Sequence, residues 1–156
     1  MNVEQFKEIM KPVIGLCAGR EFDDDLETEL NATFPPESLV FRSIEKACHA
    51  AMDAGWMCQH GEGDLRYGRV VKPLPETGGL SIDVVDMVDV AGPHHAHPKG
   101  EVCMTMPQNP DARFDGAGAG WCVNPPGSAH SPTVTDGRAL VLYLLPDGQI
   151  DFSRAG

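Results

Sequence analysis

The N-terminal residues carry apolar side chains at helical spacing. From Asn2 to Cys17 an apolar residue recurs every three or four positions, which predicts an amphipathic helix with one buried face. Asn2 and Gln5 fit a capping box at its start, because each side chain can bind the backbone N–H of the other residue. Pro12 should kink or shorten this helix, since proline removes a backbone donor and clashes with the preceding turn.

Two further helices are predicted before residue 60. Three consecutive aspartates at 23–25 place negative charge where a helix N-terminus favours it, and a helix start is favoured here over a cation site. The third predicted helix opens at Pro35 and Pro36 and ends at Gly55. Its predicted buried side consists of Leu39, Val40, Ile44, Ala47 and Ala51.

After Gly61 the apolar spacing changes to the alternation that is typical of strands. Glycine and proline are concentrated after residue 54 and indicate turns, and Asp147-Gly148 is a strong hairpin signal. Many short strands with regular turns predict a closed antiparallel barrel or a sandwich. The predicted strands are Leu65–Val71, Ser81–Val90, Glu101–Met106, Trp121–Asn124, His130–Val134, Arg138–Leu145 and Gln149–Phe152.

The length of 156 residues suits one structural domain with a substantial core. The helical segment, residues 1–60, is too short to form a domain alone. We therefore expect it to pack on the outside of a β-barrel formed by residues 61–156. The fold class is mainly β with N-terminal helices.

Charge and cysteine usage exclude several classes of protein. The net charge of −11 argues against nucleic acid or an anionic membrane surface as a partner. No apolar run approaches the roughly 18 residues needed to cross a bilayer, and no secretion signal follows Met1. Five cysteines without a CxxC pair argue against a zinc finger or a secreted disulfide framework. The interpretation that is left is five buried free thiols in a reducing compartment, so we expect a cytoplasmic protein.

The histidine-rich stretch at residues 94–101 carries the candidate chemistry. Alternate residues of a strand point to the same side, so His95, His97 and Glu101 can face one side together. Two imidazoles and a carboxylate are costly to bury unpaired, and a divalent transition-metal ion can pair with all three. His130, which follows a Pro-x-Gly turn on a different predicted strand, offers a fourth ligand. The alternative is that these histidines only form hydrogen bonds in a polar barrel interior.

These residues resemble the two motifs of the cupin superfamily. In the first motif Glu follows a His-x-His pair after three or four residues, as at His95, His97 and Glu101. In the second, His follows Pro-x-Gly after two residues, as at residues 125–127 and His130, whereas the outer glycines and the closing asparagine are not matched. The resemblance implies a cupin-type antiparallel β-barrel (jelly-roll), a divalent metal ion held by these four side chains, and often a homodimer. Iron, manganese, nickel and zinc all accept such ligands.

A closer resemblance covers nearly the whole chain. The order of three helices and the segments GPHHAHPKGEVCMTMP and GWCVNPPGSAHSPTV are similar to the 4-hydroxylaminobenzoate lyases. This resemblance implies a cytoplasmic enzyme of nitrobenzoate degradation. The implied reaction converts 4-hydroxylaminobenzoate to 3,4-dihydroxybenzoate (protocatechuate) and releases ammonia. The reaction is redox-neutral, in accord with a sequence that contains neither GxGxxG nor a P-loop. The metal ion would act as a Lewis acid on the N–O bond, and Glu101 is either a ligand or the proton shuttle.

The implied substrate is an aromatic carboxylate, so a protein of net charge −11 needs a local cation to bind it. Arg66 and Arg69 on the first long strand, or Arg113, are candidates because a guanidinium binds a carboxylate through two parallel hydrogen bonds. The aromatic ring would pack against flat side chains. The available aromatic neighbours are Trp121, Tyr143 and Tyr67.

Two other interpretations of the sequence remain open. The chain could be a different metal-dependent cupin enzyme, such as a ring dioxygenase or an isomerase, because one fold supports many reactions. It could also be a non-catalytic cupin that binds a small ligand without turnover. Oxygen consumption distinguishes a dioxygenase from a lyase, and turnover distinguishes either enzyme from a binding protein.

Overall fold

Three N-terminal helices precede a part of the chain that is built from short strands. The structure is a computed structural model that describes residues 1–153; residues 154–156, the end of the predicted barrel segment, lie outside the described residues. The helices are α1 (Val3–Cys17), α2 (Asp24–Thr33) and α3 (Leu39–Asp53). The prediction of a mainly β protein with three N-terminal helices is confirmed.

The strands form one large antiparallel sheet and two ribbons of two strands each, among the described residues. The large sheet has the order β1-β2-β3-β10-β5-β7, and the ribbons are β4-β8 and β6-β9. The strands are β1 (His60–Glu62), β2 (Leu65–Val71), β3 (Leu80–Val88), β4 (His95–His97), β5 (Glu101–Pro107), β6 (Arg113–Phe114), β7 (Gly120–Asn124), β8 (Ser128–His130), β9 (Val134–Thr135) and β10 (Arg138–Pro146). A short 3-10 helix at Pro75–Thr77 joins β2 to β3.

The two faces of the large sheet have different roles. Outward-facing residues such as Val84, Met104 and Leu142 share one hydrophobic core with the three helices. Alternate residues such as Met87 and Val141 face the opposite side, where they pack with the β6-β9 ribbon. The helices therefore cover the outside of the sheet and leave its inner face to the ribbons. None of the helices in residues 1–153 is long and apolar enough to cross a membrane.

Helix α1 begins as predicted but does not break at proline. The Asn2 side chain accepts the N–H of Gln5 at 2.9 Å, and the Gln5 side chain accepts the N–H of Asn2 at 2.9 Å. The helix then continues through Pro12 to Cys17, contrary to the expected shortening. Pro12 lies on the exposed face, where the carbonyl of Glu8 that loses its helical donor can reach water instead.

Helix α3 begins later than predicted. Its N-cap is Ser38, whose Oγ accepts the N–H of Phe41 at 3.3 Å, and the two prolines lie in the turn before it. A residue that precedes proline avoids the helical region, so Pro36 keeps Pro35 out of the helix. With this start Leu39 is 82% exposed instead of buried. The buried face consists of Phe41, Ile44, Ala47, Cys48 and Ala51.

Helix α2 covers the β7 edge of the large sheet. Asn31 Nδ2 donates to the carbonyl of Trp121 at 2.9 Å, and Asn31 Oδ1 accepts the N–H of Trp121 at 3.0 Å. Glu27 Oε1 accepts the N–H of Val123 at 2.8 Å. Side chains of a helix thus bind backbone groups that an additional strand would otherwise pair with.

Two predicted strands differ from the observed ones. The segment predicted as one strand, His130–Val134, contains the last residue of β8 and the first residue of β9, and the residues between them belong to no strand. The segment Gln149–Phe152 follows the predicted turn but forms only an isolated bridge, between Asp151 and Ala96. A two-hydrogen-bond bridge still fixes where this C-terminal segment runs, directly beside β4.

Candidate metal centre and active-site cavity

Four side chains with metal-ligating atoms meet inside the barrel. His95 and His97 lie on β4 and His130 lies on the paired strand β8, directly opposite His95. Glu101 begins β5 in the large sheet. One ring nitrogen of each histidine and one Glu101 oxygen all lie within 4.8 Å of one another.

His97 is the centre of this cluster. Its Nε2 lies 3.1 Å from His95 Nε2 and 3.0 Å from His130 Nε2. The same atom lies 3.3 Å from Glu101 Oε1. The His97 side chain is fully buried and Glu101 is 3% exposed, so the cluster is shielded from bulk water on this side.

The turn at 98–100 explains how Glu101 reaches the histidines. The sequence argument placed His97 and Glu101 on one strand, whereas the structure places this turn between β4 and β5. Gly100 has a φ of 88°, and a Cβ there would lie 2.9 Å from the Asn124 carbonyl oxygen. Glycine is therefore required where the chain passes from the ribbon to the large sheet. Because the two strands face each other after this turn, the Glu101 side chain points back towards the ribbon.

Hydrogen bonds outside the cluster fix the orientation of two imidazoles. His95 Nδ1 lies 3.0 Å from the carbonyl oxygen of Pro93, and His130 Nδ1 lies 2.8 Å from Asp115 Oδ2. Both partners are acceptors, so each Nδ1 carries the proton and each Nε2 presents a lone pair to the centre. This arrangement, in which the outer nitrogen donates and the inner one is free, is typical of metal-binding histidines.

Burial and neighbouring charges set the protonation of the cluster. Burial, with additional contributions from His95 and His130, lowers the pKa of His97 to about 3. Burial also lowers the pKa of His95. For His130 burial has the same effect, but the hydrogen bond to Asp115 and the charge of Glu101 outweigh it, and the pKa is raised. Burial raises the pKa of Glu101 against the opposing effect of its hydrogen-bonding neighbours.

The donor set fits a divalent transition-metal ion. With the Nε2 atoms of His95 and His130 unprotonated, a proton on His97 Nε2 could pair with only one of them at a time, and the other lone pair would stay unpaired. In addition, His97 Nδ1 is buried without a hydrogen-bond partner among the described residues. Ligands bonded to such an ion at about 2.0–2.1 Å lie roughly 3 Å apart, which is the spacing of these nitrogens.

A cavity of about 420 Å³ adjoins the cluster, within the range of small-molecule sites. At one end its wall contains His95, Glu101 and His130. The remaining wall is mostly apolar, and no lysine or arginine of residues 1–153 lines it. The apolar and aromatic lining residues include Leu65, Tyr67, Val85, Met87, Phe114, Val141, Tyr143, Ile150 and Phe152.

Comparison with known proteins shows the family. A family model described as PnbB: 4-hydroxylaminobenzoate lyase matches residues 8–152. This chain belongs to the 4-hydroxylaminobenzoate lyase family. A lyase of that name from Nocardioides sp. (strain LMS-CY) is 31% identical, over 90% of this chain and 89% of the relative. One from Pseudomonas putida is 28% identical, over 90% of this chain and 93% of the relative.

Among solved structures, this lyase-family chain is similar to the DMSP lyase DddQ from Ruegeria pomeroyi DSS-3. The TM-score is 0.51 at 17% identity, over 73% of this chain and 68% of that one. At this identity the similarity concerns the fold alone. The predicted cupin-type barrel, with a large sheet facing short ribbons across a buried ligand cluster, is confirmed.

The residues predicted to bind substrate are dispersed around this lyase-family fold. Tyr143 lines the cavity. Arg69 lies on the same face of β2 as the cavity residue Tyr67, where its Nε donates to Asp83 Oδ1 at 2.8 Å. Arg66 alternates with Tyr67 along β2 and so points to the other side.

Two other candidates also lie away from the cavity wall. Trp121 is packed in the core under the helices, where its Nε1 donates to the carbonyl of Phe34 at 2.8 Å. It lies opposite Met104 on β5, a residue of the helix-facing side, which explains its orientation. Arg113 donates to the carbonyls of Pro110 and Ala112.

Sequence reasoning missed several residues at this site. Asp115 was not identified because it lies in a loop, although its φ of 49° marks a tight turn. Asn124 Nδ2 donates to Glu101 Oε1 at 2.8 Å, which depends on the pairing of β5 with β7. Ile150 and Phe152 reach the cavity because the C-terminal segment pairs with β4. The Asp147-Gly148 hairpin signal was the one feature of the sequence that indicated the path of this segment.

Proposed function

We propose that this chain is a metal-dependent lyase that converts 4-hydroxylaminobenzoate to 3,4-dihydroxybenzoate and ammonia. The observation that carries the proposal is the buried cluster of three histidines and one glutamate beside a small apolar cavity, in a chain of this family. The reaction consumes one water and releases one ammonia without net oxidation. It therefore needs no redox cofactor.

His95, His97, His130 and Glu101 are the proposed ligands of a divalent transition-metal ion. Bound there, the ion would supply Lewis-acid assistance to cleavage of the N–O bond of the hydroxylamine. Carboxylate and imidazole ligands suit iron, manganese, nickel and zinc alike. Asp115 and Pro93 would hold two of the imidazoles in the ligating orientation through the hydrogen bonds described above.

If the three histidines alone hold the ion, Glu101 is the proposed proton-transfer group instead of a ligand. Burial raises its pKa, so its protonated form could give a proton to the departing hydroxide, and the resulting carboxylate could take one from the attacking water. Asn124 donates to Glu101 Oε1 and so fixes the orientation of the carboxylate. The apolar wall would hold the ring, with Val85 and Val141 beneath it and Phe114 at one side.

Arg69 and Tyr143 remain the proposed substrate-binding residues. The substrate carboxylate needs a cation, and Arg69 is the arginine on the inward side of β2, with its Nε already bound to Asp83. Arg66 and Trp121 point away from the cavity, so we do not include them in the proposal. A homodimer and a cytoplasmic location stay predictions, which gel filtration and cell fractionation can test.

The direct test combines elemental analysis of the purified protein with an ammonia assay on 4-hydroxylaminobenzoate. We expect a first-row transition metal and stoichiometric release of ammonia and 3,4-dihydroxybenzoate. His97→Ala should abolish both metal binding and ammonia release, because His97 Nε2 contacts every other ligand atom. His49→Ala, a histidine on α3 outside the cluster, is the matched control and should behave as the wild type.

Three outcomes would contradict the proposal. Full activity after removal of the metal would exclude metal assistance. Oxygen uptake with 3,4-dihydroxybenzoate would identify a ring dioxygenase instead. Tight binding of the substrate without any product would identify a binding protein.

A further inference from the structure

Tyr143, a residue of the cavity wall, carries a hydroxyl group without a hydrogen-bond partner among residues 1–153. It lies on β10 among residues that alternate towards the inner face, and it lines the cavity wall. Its ring is largely buried, yet its hydroxyl forms no hydrogen bond with any residue in the described part of the chain. A hydroxyl on the wall of a cavity can form its hydrogen bond with a molecule that is bound there.

The strand register places Tyr143 near the reactive end of the cavity. It lies directly opposite Cys103 on β5, two residues from Glu101 on the same inward row. Farther along this inner face the wall becomes apolar, with Val141 and Val85 and then Met87. The cavity thus has a polar end, formed by the metal cluster and Tyr143, and an apolar remainder.

The surroundings of Tyr143 make its hydroxyl a donor. Burial raises its pKa, and the negative charge of Asp83, its partner on β3, acts in the same direction. The two Asp83 oxygens accept from Arg69 Nε at 2.8 Å and from Ser81 Oγ at 2.7 Å, and no hydrogen bond joins Asp83 to the Tyr143 hydroxyl. A ligand bound in the cavity can therefore supply an acceptor for the protonated phenol.

We infer that the Tyr143 hydroxyl donates a hydrogen bond to the polar substituent that the substrate presents to the metal cluster. This inference rests on the proposed function and refines it. The acceptor would be the hydroxylamino group of the substrate and a ring hydroxyl of the product. The carboxylate, which is para to the reacting nitrogen, would lie at the opposite end of the ring. Tyr143 is therefore a substrate-contacting residue for the reacting end and not a carboxylate anchor.

The test compares Tyr143→Phe with Ser43→Ala in the metal-loaded protein. Both exchanges remove one hydroxyl, but Ser43 lies on α3 and does not line the cavity. Leaving a buried ligand oxygen unpaired costs enough to lower affinity roughly 10-fold. We expect Tyr143→Phe to lower kcat/KM for ammonia release by about that factor and to weaken 3,4-dihydroxybenzoate binding equally. Ser43→Ala should leave both unchanged.

Benzoate is the ligand control, because it keeps the carboxylate and lacks both ring hydroxyls. Tyr143→Phe should leave benzoate affinity unchanged, whereas a merely structural effect would weaken both ligands. Equal losses for the two ligands, or a wild-type response of Tyr143→Phe to 3,4-dihydroxybenzoate, would overturn the inference. If the wild type releases no ammonia, the proposed function fails, and the two binding titrations still decide the role of Tyr143. Absence of 3,4-dihydroxybenzoate binding to the wild type would overturn the inference about Tyr143 without deciding the proposed function.

Discussion

At the scale of single residues, the metal-ligand cluster depends on side chains that are not themselves proposed ligands. Asp115 accepts from His130 Nδ1 through one oxygen and from the N–H of Thr133 through the other. It therefore joins the imidazole to the backbone of the following loop. Partners of this kind hold a ligand ring in one orientation before any ion binds.

Replacement of Asp115 tests this arrangement. Asp115→Asn keeps the size of the side chain and tolerates the positive φ but removes the charge, so we expect metal affinity to fall roughly 10- to 100-fold. Competition with a chromophoric chelator measures the change. Asp136→Asn is the control, because Asp136 also has a positive φ, of 60°, and lies outside the cluster. Unchanged affinity in Asp115→Asn would mean that the backbone alone orients His130.

At the scale of elements, the C-terminal segment completes the cavity although it forms no regular strand. The N–H of Ala96 donates to the Asp151 carbonyl at 2.8 Å, and the N–H of Asp151 donates back at 2.9 Å. This pairing places the Phe152 ring 5.1 Å from the His95 ring, edge to face. Phe152 is 52% exposed and lines the cavity, so a ligand bound there could cover part of its ring.

Phe152→Ala should therefore weaken substrate binding more than it slows the chemistry. Loss of one aromatic contact with the ring of the substrate should raise KM roughly 10-fold at nearly unchanged kcat. Steady-state kinetics of ammonia release separate the two parameters. Leu39→Ala removes another exposed apolar side chain, on α3, and serves as the control. A fall in kcat at constant KM would place Phe152 in the chemical step instead.

At the scale of the whole molecule, the four proposed ligands connect separate parts of the fold. Three come from the β4-β8 ribbon and Glu101 comes from the large sheet. A bound ion would bind only the folded arrangement, so its binding free energy adds to the stability of the protein.

The thermal unfolding midpoint should respond accordingly. A free ion at 100 times its Kd adds about 2.7 kcal/mol, or roughly 5–10 °C for a chain of this length. Differential scanning calorimetry of the chelator-treated and reloaded protein measures the difference. His97→Ala should unfold cooperatively at a temperature that the transition metal does not change. Magnesium, which prefers oxygen ligands, should have little effect on either protein. An equal shift in His97→Ala would place the stabilising ion elsewhere.

The sequence pattern predicted most of the elements and the proximity of His95, His97, Glu101 and His130, but not the contacts that bring these four side chains together. Helix caps and strand alternation are local, so the capping box at Asn2 and the strand at 65–71 could be predicted. Glu101 was correctly grouped with His97, but the turn between them shows that two facing sheets, not one strand, bring them together. The orientation of Trp121 depends on which strand pairs with β7, and no local pattern contains that information.

The way Asn31 binds the β7 edge has a consequence for assembly. The Asn31 side-chain amide forms the two hydrogen bonds with Trp121 that the backbone of a neighbouring strand would form, and the Glu27 carboxylate accepts the N–H of Val123. A strand of a second molecule could not pair with these backbone groups at the β7 edge, because they already have hydrogen-bond partners. Any association that extends the large sheet from one copy to the next would have to begin at the opposite border, beside β1.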